Sequence, residues 1–292
     1  MPSNKHLLFL KESPPIGGLS YFILTLYPQQ KALINRRLNN KSVHWWRITN
    51  RQCSTYVLPL GNYKKMKFTY YGHACFSVFV GGKTLLFDPF IKYNELAKSI
   101  DINSITADYI LLSHGHEDHV ADALEIANRT GATIVSNYEV VTWFQAKGAK
   151  HAHPMNHGGQ WKFDFGTVKY VAAVHSSALP DGSYGGNPGG FVVEASEGNF
   201  YYSGDTALTM DMQLIPLTSS KLSFAVLPIG DNFTMGADDA VIASDFVQCN
   251  TVIGVHYDTF GFIKINHGEA IKKFKNKGKE LLLPSIGQTI EL

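Results

Sequence analysis

From residue 66 onward, apolar and polar positions alternate in short runs broken by glycine, proline and acidic residues. The alternation over 67–71 predicts a strand, Gly72 interrupts it, and 74–80 resumes it as a second. Gly81-Gly82 reads as a hairpin turn into a third strand at 84–87, which runs into Asp88-Pro89. Residues 91–105 read as a polar linker with one helical turn. The pattern then changes: an apolar strand at 107–113, a helical repeat of Val120, Leu124 and Ala127 ending near Gly131, a strand at 133–136 and a helix at 138–149. Strands return as a hairpin around Gly166 (161–165 and 167–174) and as a second pair at 191–194 and 199–203. Between them, 176–190 is rich in glycine and proline and reads as a lid beside a site or as a solvated connection. Apolar strands at 224–228 and 251–255, helices at 237–248 and 268–277, and short strands at 281–283 and 288–291 complete the chain. A β meander followed by alternating strands and helices predicts a mixed α/β (α+β) domain.

The first 65 residues do not share this pattern. They hold ten Lys/Arg against one acid, Glu12, a net of +9, which leaves −7 on 66–292 although the whole chain of 292 residues carries only +2. Such a break separates a basic leader, 1–65, from a domain at 66–292. The leader lacks clear periodicity, and its longest apolar stretch, 16–27, falls short of the ~20 residues that cross a bilayer. It reads as a segment without ordered structure, or as sequence translated ahead of a native start at Met66. A transit-like peptide and a basic arm for nucleic acid or an anionic membrane stay open as alternatives. Peptides from 1–65 in protein isolated from its native host would sink the upstream reading.

Hydrophobic content of 45% and charged content of 17% suit a globular protein with a sizeable core. The −7 on 66–292 argues against a phosphate-backbone partner and for a small-molecule substrate. Three scattered cysteines, Cys53, Cys75 and Cys249, make neither a disulfide framework nor a thiolate zinc site. They fit a reducing, cytoplasmic setting.

Chemistry concentrates where the strand at 107–113 ends. Residues 114–119 read His-Gly-His-Glu-Asp-His. Positions i and i+2 of an extended chain point the same way, so His114 and His116 can grip one metal ion. Asp118 and His119 sit where the chain turns into the helix and face a neighbouring point. Neutral imidazoles and hard carboxylates are the donors a catalytic divalent metal takes. The same arrangement, an apolar strand and then a donor at its end, recurs at His175, at Asp205 within Ser-Gly-Asp-Thr, and at His256. His175 is placed to be a third imidazole for the His114/His116 ion, and Asp205 to be a carboxylate bridging two ions. Asp88 and Asp231, also at strand ends, are expected to hold ligand imidazoles through their second nitrogens. His73, between two strands, reads as a hydrogen-bonded supporting group. His151, His153 and His157 lie in a turn-rich stretch without acids and read as surface histidines. Tyr257 and Thr234 neighbour site elements, but neither is marked by the sequence as a general acid.

The order His-x-His-x-Asp-His, a later His, Ser-Gly-Asp-Thr and a last His resembles the metallo-β-lactamase superfamily over the whole of 66–292. The strings Tyr-Gly-His-Ala-Cys-Phe (71–76), Phe-Asp-Pro-Phe (87–90), Ala-Val-His-Ser-Ser (173–177), Gly-Asp-Asn-Phe-Thr-Met-Gly (230–236) and His-Tyr-Asp-Thr-Phe (256–260) are similar to a bacterial branch of metal-dependent hydrolases. That branch is similar in turn to ascorbate-6-phosphate lactonases and N-acylphosphatidylethanolamine phospholipases. The resemblance implies a four-layer αββα sandwich. It implies His114, His116 and His175 at one metal site, Asp118, His119 and His256 at a second, and Asp205 between them. All seven residues are present. It further implies two divalent ions, zinc first and manganese or iron as alternatives, and hydrolysis of an ester, lactone or phosphodiester by a bridging hydroxide that Asp118 orients. Two other activities fit the same ligands: a non-catalytic metal-binding module, and iron-dependent oxidoreductase chemistry. The flavodiiron relatives that carry out the latter favour Glu where this chain has His116.

Overall fold

The glycine pair at 81–82 sets the first hairpin. Both residues have positive φ, 59° and 75°, as a two-residue type I′ turn requires. The computed structural model describes residues 65–292 throughout and, of 1–64, the backbone of four strands. The chain divides into two units at Lys64/Lys65. In the first, β1 (Leu10–Ile16), β2 (Leu19–Leu26), β3 (Trp46–Asn50) and β4 (Cys53–Pro59) pair in the order β1-β2-β4-β3. These strands fall within 1–65, where the sequence carries the expectation of a basic leader without ordered structure. Tyr21-Phe22-Ile23-Leu24-Thr25 is a run of strand formers without a period-two alternation of apolar and polar residues. The rest of that expectation lies outside the described residues.

The second unit holds two seven-stranded sheets. The first is built from β5 (Lys67–Gly72), β6 (Cys75–Val80), β7 (Lys83–Phe87), β8 (Tyr109–Leu111), β9 (Thr133–Asn137) and β10 (Ala152–Met155), with β18 (Thr289–Glu291) closing its edge beside β5. The second runs from β11 (Gln160–Lys162) through β12 (Thr167–Ala172), β13 (Gly189–Glu194), β14 (Asn199–Tyr202), β15 (Phe224–Pro228) and β16 (Thr251–Val255) to β17 (Glu280–Leu282). Each sheet has an antiparallel half and a parallel half. Pairing is antiparallel from β18 to β7 and parallel from β7 to β10, antiparallel from β11 to β14 and parallel from β14 to β17.

Three apolar clusters define the layers. Phe68, Phe76 and Phe87 of the first sheet meet Phe200, Tyr202 and Phe224 of the second in the central core. Phe76 stacks on Phe87 at 4.5 Å, and Phe200 on Phe224 at 5.0 Å. The outer face of the first sheet is covered by the helices Ala123–Thr130 and Tyr138–Ala146, and that of the second by Ala237–Phe246 and His267–Lys275. The result is an αββα sandwich. Residues 91–105 are less of a linker than their polarity indicated. They hold two short turns capped by Asn94 and Asp101, and Ile91, Ala97, Ile102 and Ile105 are buried against the first sheet. The parallel strands β7, β8, β14 and β16 all end on one rim, and the chain leaving each carries a candidate site residue.

Candidate metal centre

The apolar run at 107–113 is trimmed to Tyr109–Leu111, and the backbone then turns through Ser113 into the histidine motif. His114 Nε2 and His116 Nδ1 lie 2.9 Å apart. His175, beyond the end of β12, completes a group whose donor atoms all fall within 4.8 Å of one another. A second group of the same tightness comprises His73, Asp118, His119 and His256. Asp205 lies between the two. Its Oδ2 is 3.6 Å from His175 Nε2, 3.2 Å from His119 Nε2 and 2.9 Å from His256 Nε2. The structure therefore brings together all seven residues the sequence singled out as donors.

Asp205 reaches this place because Gly204 takes a φ of 62°. A Cβ at Gly204 would stand 2.5 Å from Gly189 O and 2.7 Å from Ser113 Cβ, so only glycine lets the β14 end pass this close to the motif strand. Three non-glycine residues of the site also have left-handed backbone: His73 at 54°, Asp88 at 40° and His256 at 56°. Such conformations cost on the order of 1–3 kcal/mol each and persist where surrounding contacts enforce them.

Asp88 is the hub of those contacts, as expected of a residue that orients imidazoles. Its Oδ2 accepts from His119 Nδ1 (2.8 Å), the Ser113 hydroxyl (2.5 Å) and the Tyr202 hydroxyl (2.6 Å), and its Oδ1 from Ser113 N (2.8 Å). Ser113 Oγ in turn accepts from His114 Nδ1 at 2.9 Å. Because a carboxylate only accepts, and the Ser113 hydroxyl proton is spent on Asp88, these bonds place a proton on Nδ1 of both His119 and His114 and turn Nε2 of each toward the cluster. Asp88 thus steadies one imidazole of each group. Ser113 and Tyr202 belong to this hydrogen-bond network although the sequence did not mark them. Ser113 directly precedes the motif, whereas Tyr202 carries no signal beyond its strand.

The other predicted support, Asp231, is a correction. It is exposed, with φ 63°, and its carboxylate accepts from Asn232 N at 2.8 Å within its own turn. The Gly230–Gly236 bridge closes that loop on itself and turns the carboxylate onto Gly236 rather than toward a histidine. His153 packs on Trp161 and Phe163, and His157 bonds Pro188 O, as surface histidines do. Tyr257 is stacked on Tyr70, and burial pushes its hydroxyl up to about 12. The 176–190 segment lies against the motif: Ser177 Oγ accepts from Gly115 N and donates to Gly185 O.

The charge balance asks for a cation. Burial lowers the pKa of His114, His116 and His175, keeping their lone pairs free near neutrality. Asp205 is buried, which would raise its pKa, but His119 and His256 outweigh burial and hold it well below the carboxylate range. Burial works against protonation of His119, yet Asp205, Asp118 and Asp88 together raise its pKa well above that of a free imidazole. His119 Nε2 has no hydrogen-bond partner although it sits 3.2 Å from Asp205, so the carboxylates draw positive charge to the atom that would meet a metal ion. Buried carboxylates of this kind are paired or coordinate metal ions. The donor set fits a divalent metal.

A family model described as a beta-lactamase superfamily domain matches residues 67–256. A UPF0173 metal-dependent hydrolase of Flavobacterium johnsoniae is 60% identical over 227 residues, which is 78% of this chain and all of the relative. One of Christiangramia forsetii is 59% identical over 228 residues, again 78% of this chain and all of the relative. Among solved structures, Igni18, a metallo hydrolase from Ignicoccus hospitalis, superposes with a TM-score of 0.71 at 32% identity over 78% of this chain and 99% of its own. The chain belongs to the metallo-β-lactamase superfamily. Within it, the chain stands with the metal-dependent hydrolases, and 78% of it spans the full length of the two relatives named above.

Proposed function

We propose that this chain hydrolyses an ester, lactone or phosphodiester-type bond of a small molecule at a centre of two divalent metal ions. The observation that supports this most is the place of Asp205, one carboxylate oxygen facing imidazoles of both donor groups at 2.9–3.6 Å. His114, His116 and His175 would hold one ion, Asp118, His119 and His256 the other, with Asp205 shared. Zinc suits imidazole and carboxylate donors, as do manganese and iron. When bound, such ions lower the pKa of water toward neutrality and polarise the carbonyl or phosphoryl oxygen under attack.

The chain's own residues supply the rest. Burial keeps His114, His116 and His175 neutral, so they enter as donors without first losing protons. Asp118 is the one carboxylate of the cluster with substantial exposure, 27% of its side chain. Burial opposes its ionisation, but His119 and His73 outweigh burial and hold its pKa far below the usual value. Its Oδ2 is engaged by His73, which leaves Oδ1 to accept a hydrogen bond from the attacking water and orient it. His116 is half-buried, and Ser176 Oγ stands 3.3 Å from its Nε2, so the loop at 176–190 begins at the edge of the cleft and shapes what enters.

The test is turnover of p-nitrophenyl acetate, a γ-lactone and bis(p-nitrophenyl) phosphate by the metal-loaded chain. At least one is expected to react, and His116→Ala to lower kcat on the order of 10²–10³-fold, the scale of losing one electrostatic stabiliser of the transition state. Full activity in His116→Ala with metal still bound would contradict the scheme. A metal-loaded chain silent on all three substrates would instead be a binding module.

A further inference from the structure

His73 stands outside the seven donors, yet its ring is wholly buried among them. It occupies the turn between β5 and β6, and its carbonyl oxygen accepts from His256 N at 2.9 Å and from the Tyr70 hydroxyl at 3.0 Å. The turn is thereby pinned to the strand end that carries a donor of the centre. The ring sits at 4.1 Å from His256, 5.2 Å from Phe260 and 5.7 Å from Phe90, measured between centroids. Enclosure of this kind leaves the imidazole little freedom to rotate or to exchange partners with water.

Both of its nitrogens are engaged. Nε2 lies 3.0 Å from Asp118 Oδ2, and Nδ1 lies 3.0 Å from Thr259 Oγ1. An ionised carboxylate only accepts, so the bond to Asp118 places the proton on Nε2. Nδ1 is then the acceptor, and the Thr259 hydroxyl donates to it at 3.0 Å in preference to its longer contact with Tyr257 O at 3.4 Å. This is the reverse of His119, whose Nδ1 donates to Asp88 and whose Nε2 is left without a hydrogen-bond partner. His119 has a nitrogen with no hydrogen-bond partner to offer an ion, and His73 has none. Proximity alone would put His73 among the donors; the hydrogen bonds place it behind one of them.

We infer that His73 is a positioning residue. Donating from Nε2, with Thr259 fixing its tautomer from behind, it locks the Asp118 carboxylate in the orientation the centre uses, and it is not itself a metal ligand. The inference rests on Asp118 serving at the centre. Asp118 lies on the single helical turn Glu117–Val120 and is part-exposed, so without this donor its carboxylate would be free to swing toward solvent. Partners of this type behind a ligand are worth about 10–100-fold in metal affinity or activity.

The test uses the full chain with ¹⁵N-labelled histidine, metal-free and zinc-loaded, observed by long-range ¹H–¹⁵N correlation. The His73 signals are assigned by their loss in His73→Gln. The expected result is the Nε2–H tautomer in both states. A switch to the Nδ1–H tautomer on adding zinc would make His73 a ligand and overturn the inference. Cobalt(II) titration gives a second readout through its visible absorption. His73→Phe is expected to weaken the second equivalent about 10–100-fold, with most of it recovered in His73→Gln, which keeps a donor. Thr259→Val is expected to cause a smaller loss that Thr259→Ser reverses. Equal losses in His73→Phe and His73→Gln would reduce His73 to packing and sink the idea. Neither readout needs turnover, so a chain that passes both and hydrolyses nothing would refute the hydrolase reading and leave His73 in its role.

Discussion

Asp88 is the residue on which both halves of the centre depend, through His119 directly and through Ser113 to His114. Asp88→Asn keeps its shape, removes its charge and puts a donor where only acceptors belong. The affinity for both metal equivalents is expected to fall about 10–100-fold in competition with a chelator; an unchanged affinity would show that the tautomers are fixed by other means. The histidines also give the metal-free chain a pH signature. The pKa of His73 is lowered to about 4, by burial first and by His256 next. Between pH 6.5 and about 4 the unfolded imidazole takes a proton that the folded one refuses, so stability present above 6.5 is lost as pH falls through this window. The ceiling is about 3 kcal/mol. His119 has the opposite sign: its raised pKa adds stability at low pH that is lost as pH rises through the raised value. Urea midpoints at pH 7.5, 5.5 and 4.5 are expected to fall on acidification, because the lowered imidazoles outnumber the raised one, and less steeply in His73→Gln. The donors were legible in the sequence because each follows an apolar run, the signature of a strand end. Asp231 has that signature too and is not at the centre, since the pattern locates a strand end without saying where the next turn points. Ser113, Tyr202 and Thr259 carry no pattern that separates them from any other polar residue.

Elements were read well where a single period runs long enough. The strand at Thr251–Val255 and the helix Tyr138–Ala146 stand close to their expected spans. The apolar run at 107–113 outlasts its strand, because buried residues continue past the last paired residue, Leu111, through Leu112, whose N still bonds Val135 O, into the turn at Ser113. Residues 91–105 misled in the other direction: their polar majority masks the four buried apolar side chains that seat them on the sheet. Turn glycines carry much of the geometry. Gly204→Ala combines an unfavourable φ of 62° with a 2.5 Å approach to Gly189 O. It is expected to cost more than about 1 kcal/mol in a urea titration, and to displace Asp205 so that metal stoichiometry falls as well. A variant of unchanged stability and metal content would show that the β14 turn does not set the place of Asp205.

At the scale of the molecule, the two sheets repeat one plan, an antiparallel half followed by a parallel half, and the centre lies at the rim where the parallel strands end. That plan was not legible strand by strand. Pairing across the sheets joins residues far apart in the chain, as β18 joins β5 through Thr289 and Thr69, and no local pattern encodes it; the superfamily resemblance supplied it instead. Among the described residues no helix is long and apolar enough to cross a membrane. Everything proposed for the site turns on two ions sharing Asp205. The most direct measurement is the metal content of the full chain, purified without a metal-affinity tag, beside His116→Ala and Asp205→Ala. About two ions per chain, falling to about one in His116→Ala and lower still in Asp205→Ala, is the predicted result. A folded wild-type chain that holds at most one ion, with Asp205→Ala unchanged, would contradict the dinuclear centre.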